Sequence, residues 1–225
     1  MTSQNGNIFV MIFIAIILIG VLTVAIRGYS GGKNNIDRED MKIAVSQVLQ
    51  YGTELENAVR TVLDNATSES DIRFAHANAP STYGTIATTP SAQVFSVNGG
   101  RAEYRPAPLK YLTTETGQWE FYGTTAIPQV GSARAELIAV LPNLTADFCT
   151  AINRELGLST APNDNTTGTT PDCVQGAASH RFGPTTNFID PPNQLDATTY
   201  GKLPMTRACV TCGSNRHYYH VLMAR

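Results

Sequence analysis

The chain has 225 residues, a formal net charge of −2 and a charged fraction of only 15%. Lysine occurs four times, too sparsely to build the basic patch that a nucleic-acid interface requires, so that class of partner is set aside. At about 150 residues per domain, the length holds one medium-sized domain and a short accessory segment.

Residues 8–26, IFVMIFIAIILIGVLTVAI, carry no charge, and only Gly20 and Thr23 dilute the aliphatic content. As a helix this run covers roughly 29 Å, the thickness of a bilayer's hydrocarbon core. It predicts a membrane anchor or an equally dry packing element, with Ile8, Met11, Ile14, Leu18 and Leu22 as its candidate packing positions. A removed signal peptide is the rival reading. It is disfavoured because MTSQNGN holds no Lys or Arg and no Ala-x-Ala follows the run.

Residues 28–35 contain three glycines and two asparagines, which predicts a hinge. Residues 36–66 predict an amphipathic helix. Met41, Val45, Val48, Leu55, Val59 and Val62 recur at three-, four- and seven-residue spacing, and Asp37, Glu39 and Asp40 sit where carboxylates favour a helix N-terminus. The stripe serves either as a lateral contact between protomers or as packing on the chain's own domain. Gly52 interrupts it and leaves room for a close neighbour.

Residues 67–92 lose periodicity and read as a surface loop. Residues 93–97, 101–105 and 118–122 read as short strands, with Asn98-Gly99-Gly100 as a hairpin turn between the first two. Residues 135–141 (AELIAVL) are apolar enough for a central strand. A helix from Ala146 to Leu156 follows, capped by Thr145 and ended by Gly157, and it buries Phe148, Ile152 and Leu156. Residues 159–172 read as a solvated loop, 185–205 as a Pro-containing excursion, and 217–225 as a terminal strand. The fold class is therefore α+β: a transmembrane helix, a glycine hinge, and an amphipathic helix on an antiparallel sheet.

All four cysteines, Cys149, Cys173, Cys209 and Cys212, lie in the last third of the chain. Their even number behind an apolar segment points to two disulfides in an oxidising compartment and places the domain outside the cytoplasm. Arg27, Lys33, Arg38 and Lys42 pull the other way under the positive-inside rule. The expected bridges are Cys149–Cys173 around the polar loop and Cys209–Cys212 in a tight turn. Cys209, Cys212, His217 and His220 would also make a zinc set, but on a strand an offset of three sends the two histidines to opposite faces. No nucleophile elbow, phosphate loop or dinucleotide fingerprint occurs, and His76 and His180 stand alone, so the reading is non-enzymatic, with no metal and no cofactor.

The N-terminus resembles the type IV pilins and type II secretion pseudopilins: a polar leader ending at Gly6, then Asn7-Ile-Phe-Val-Met and an apolar helix running into an amphipathic one. The resemblance implies that residues 1–6 are a leader cut by a prepilin peptidase between Gly6 and Asn7. It further implies that residues 7–27 anchor the subunit in the inner membrane and then pack in a filament, with residues 67–225 as a β-rich extracytoplasmic domain. The partners would be other pilin-like subunits. Met11 stands where the family carries a glutamate, which implies a minor or tip subunit. A tethered periplasmic binding domain that does not polymerise, using residues 185–212 as its recognition surface, is the alternative.

Overall fold

The computed structural model describes residue 12 and residues 14–19, 32–164 and 173–225. The chain divides into two units, Met1–Ile43 and Ala44–Arg225. In the first, residues 12 and 14–19 are helical, and their isoleucine and leucine side chains are 51–66% exposed. Gly6, Asn7, Ile8, Met11 and Leu22 lie outside the described residues. Among the described residues no helix is long and apolar enough to cross a membrane.

Helix α1 runs from Gly32 to Asp64. Gly32, Lys33, Asn34 and Asn35 thus belong to the helix and not to a hinge, while residues 28–31 lie outside the described residues. A glycine costs least in the first turn, where its N–H has no intrahelical partner in any case. The early start also moves Asp37, Glu39 and Asp40 beyond the first turn, which holds no acidic residue, so they gain little from the helix dipole.

The 3.6-residue repeat of apolar positions puts Val45, Val48, Tyr51, Leu55, Val59 and Val62 on one face, each at most 5% exposed. These side chains fill the core of their own domain, so the lateral-contact role assigned to Val45, Val48, Leu55, Val59 and Val62 gives way to intrachain packing. Met41 is half-buried.

Five strands form one sheet: β1 (Glu120–Ala126), β2 (Glu136–Leu141), β3 (Phe188–Gln194), β4 (Arg207–Cys212) and β5 (Asn215–Met223), in the order β3-β1-β2-β5-β4. Neighbours are antiparallel except β3, which runs parallel to β1, so the sheet is mixed and not a pure meander. β2 is the central strand and buried throughout, as its apolar run predicts. β3 lies inside the stretch expected to be an irregular excursion. Its Pro191 and Pro192 are tolerated because an edge strand need not donate on its outer side.

Residues 93–97 and 101–105 are not strands. They wrap a compact turn in which Gly99 and Gly100 touch backbone: a Cβ on Gly99 would lie 2.1 Å from the Gln93 carbonyl oxygen, and one on Gly100 would lie 2.8 Å from that of Ala58 on α1. The glycines therefore seat the turn on the helix and do not close a hairpin. Residues 67–92 are irregular, yet Ile72, Phe74 and Tyr83 are buried to within 1%. Phe74 stacks on Phe121 of β1 with ring centroids 4.0 Å apart. The buried Gln93 holds this region by accepting from Ala75 N–H (3.2 Å) and donating to the carbonyls of Thr85 (3.0 Å) and Thr88 (2.9 Å).

Helix α2, Ala146–Glu155, follows Thr145 and ends ahead of Gly157, whose φ of 79° is the left-handed conformation glycine accepts without strain. It packs on β4 and β5. Alternation along the strands sends Tyr122, Ile138, Val140, Val210, Tyr219 and Val221 to one face of the sheet, where Val174, Leu195, Tyr200 and Met205 cover them.

Candidate functional site

The chemistry-bearing residues singled out in the sequence converge on the β4–β5 hairpin. Cys209 and Cys212 are three apart on β4, so the two-residue period points their sulfurs to opposite faces and they cannot bridge each other. Cys209 pairs with Cys149 of α2 (Cα–Cα 5.4 Å) and Cys212 with Cys173 (6.0 Å), replacing the expected Cys149–Cys173 and Cys209–Cys212 bridges. The bridged residues are 60 and 39 apart, and loop closure over such spans contributes about 4 kcal/mol each when taken singly.

His217 and His220 obey the same rule and lie on opposite faces of β5, each 2% exposed. His217 Nδ1 accepts from Asn143 N–H at 3.4 Å, and burial pushes its pKa down to about 4. His220 meets Glu56 Oε2 through Nε2 and the Tyr218 hydroxyl through Nδ1, both at 3.1 Å. Burial lowers its pKa against the opposing pull of Glu56. With both cysteines oxidised and the imidazoles turned apart, the zinc set does not assemble, and no three potential metal donors come together among the described residues.

Gly52 provides the space for His220: a Cβ there would lie 2.5 Å from the imidazole Nδ1. Glu56, His220 and Tyr218 thus form a continuous polar chain from α1 to β5. An acid, an imidazole and a hydroxyl in line can relay a proton, but Tyr218 is fully buried and offers its oxygen to no substrate. The chain fastens the helix to the sheet. A second buried network does the same for β1. Glu120 accepts from Tyr122 Oη and Gln175 Nε2, both at 2.9 Å, and pairs with Arg181 at 2.5 Å, tying the strand to the segment after Cys173.

Asn153 of α2, 1% exposed, was not among the residues singled out from sequence. Its Oδ1 accepts from Cys209 N–H at 2.8 Å and its Nδ2 donates to the Cys209 carbonyl at 2.7 Å, as a neighbouring strand would. No local pattern marks it, because an amide on a helix is ordinarily a surface residue. Two open grooves flank α1. One, of about 250 Å³, is lined by Tyr51, Trp119, Arg105, Pro106 and Pro108. The other, of about 570 Å³, is polar and lined by Gln50, Glu54, Asn57, Thr61 and Arg101. The Arg105 guanidinium lies 4.9 Å from the centroid of the Tyr51 ring and pairs with Glu54, so its charge is already engaged.

No family model matches the chain, and neither a curated protein nor a solved structure matches it.

Proposed function

We propose that this protein is a pilin-like structural subunit of a type IV pilus or secretion pseudopilus, with a membrane-inserted precursor and an extracytoplasmic globular domain. The observation that carries the reading is the helical, aliphatic stretch at residues 12 and 14–19, whose isoleucine and leucine side chains are 51–66% exposed within a continuous apolar run. Such side chains need lipid or other apolar helices around them. The α+β domain with one long helix on a sheet, and two disulfides binding its last third, is compatible with life in an oxidising compartment.

The test is the mass of the mature N-terminus in cells with an active prepilin peptidase. Cleavage should leave Asn7 first, and replacing Gly6 should abolish it. An intact Met1 on the mature protein, or processing indifferent to Gly6, overturns the reading.

A further inference from the structure

The outer edge of β4 is closed by two devices of different kinds. At Cys209 the side chain of Asn153 pairs with the strand, as described above. At Thr211 the chain pairs with itself: Thr211 N–H donates to the Pro162 carbonyl at 2.8 Å, and the Thr211 carbonyl accepts from Asp164 N–H at 2.7 Å. Pro162 and Asp164 are buried, although the polar sequence around them reads as a solvated loop.

Thr199 Oγ1 accepts from Asn163 N–H at 3.0 Å and the Thr211 hydroxyl donates to the Pro162 carbonyl at 3.2 Å, and Asp164 adds a titratable hold on this segment. Its side chain is turned inward and 2% exposed, and Oδ2 accepts from Val174 N–H at 2.6 Å, one residue after the cysteine that ties this corner to the end of β4. Oδ1 has no hydrogen-bond partner among the described residues. Among the described residues the titratable groups facing it are Tyr200, in the loop after β3, and Tyr219 of β5, both neutral, since burial pushes their hydroxyls well above the usual range. Among the described residues no cation compensates the carboxylate, and burial pushes the Asp164 carboxyl up to about 7.

We propose that Asp164 is a proton-controlled latch on the outer edge of β4: protonated, it keeps residues 162–164 paired with Thr211, and its ionisation releases them and bares that edge. The released proton goes to solvent, and the Cys173–Cys212 bridge stays intact, so the motion is reversible. Asn153 stays at Cys209, which limits the newly exposed edge to the end of the strand. An edge bared in this way leaves Thr211 N–H and C=O without their intrachain partners. The inference is independent of the assembly reading above.

Hydrogen exchange of the Val174 and Thr211 amides in the full chain, corrected for intrinsic exchange between pH 4.5 and 8.5, tests it. A carboxyl protonated when seated and ionised when released makes protection fall by up to about tenfold per pH unit from roughly 4 to 7, then level off. Asp164→Asn keeps an acceptor for Val174 and should show no such fall, whereas Glu136→Gln, at another buried carboxyl, should retain it. Flat protection in the unmodified protein, a fall that persists in Asp164→Asn, or its loss in Glu136→Gln overturns the latch. Should Asp164→Asn fail to fold, the carboxyl carbon shift of Asp164 decides: a midpoint near 7 supports the latch and one near 3.8 overturns it.

Discussion

A single amide, Asn153, does for β4 what a sixth strand would do, satisfying both backbone groups of Cys209 from a helix. Replacing it with alanine leaves a buried N–H and C=O unpaired and should destabilise the domain by about 2–4 kcal/mol in denaturant unfolding. A cost below about 1 kcal/mol would mean that water reaches Cys209. Gly52 is the other residue-scale constraint. Gly52→Ala places a methyl against the His220 ring and should cost about 1–3 kcal/mol despite alanine's better helix propensity. Stabilisation by this change would show that α1 is free to move off β5. The interruption at Gly52 was legible in the sequence as a place of close approach, because a glycine inside an apolar stripe needs a reason. Its partner was not, since His220 lies 168 residues away along the chain.

At the level of elements, what periodicity could reach held well. The apolar stripe located α1, the run at residues 135–141 located the central strand, and Thr145 and Gly157 bracketed α2. What failed was what depends on pairing. Gln93 and the Gly99-Gly100 turn look like hairpin parts locally, yet the Gln93 side chain bonds to the loops at Ala75, Thr85 and Thr88, and the Gly99 and Gly100 amides bond back into their own turn at Ser96 and Gln93. β3 was obscured by its prolines, because a sequence does not say which strand will be an edge. The disulfides miscarried for a different reason. Nearness in sequence favoured Cys209–Cys212, while the strand's period of two, already applied to His217 and His220, forbids it. Non-reducing peptide mapping should therefore recover the Cys149–Cys209 and Cys173–Cys212 crosslinks, and recovery of Cys149–Cys173 would contradict the sheet register. Removing Cys149 and Cys209 together should cost about 2–5 kcal/mol.

Across the whole molecule, the buried titratable groups set opposing pH slopes. Burial lowers the pKa of His217 to about 4 and that of His220 below 6.5, so the unfolded chain takes up protons first. The stability this supplies is complete above about 6.5 and is lost as pH falls, for His217 towards 4. Burial raises Asp164 and Glu136 to about 7, from 3.8 and 4.5, so the folded chain holds those protons longer. Their contribution is complete at low pH and is lost as pH rises through about 7. Between pH 4.5 and 6.5 the histidines and the carboxyls act in opposite directions. In Asp164→Asn one opposing slope is gone, so its stability relative to the unmodified protein should fall on acidification by about 1.4 kcal/mol per pH unit across that window. Denaturant titrations at four pH values would show it, and parallel profiles for the two proteins would refute it.

The sequence by itself determined what is written in short-range chemistry: an uncharged aliphatic run, a helix with one apolar face, a central strand, a second helix between Thr145 and Gly157, and cysteines in a number that can all pair. These follow from composition and from periods of two and 3.6, which neighbouring residues settle among themselves. Only the tertiary structure decided which cysteine meets which, that α1 turns its stripe inward, that β3 joins the sheet in parallel, and that Asn153 and Asp164 close the edge of β4. Each of those depends on groups far apart in the chain, whose burial and hydrogen-bond satisfaction exist only once the sheet has formed.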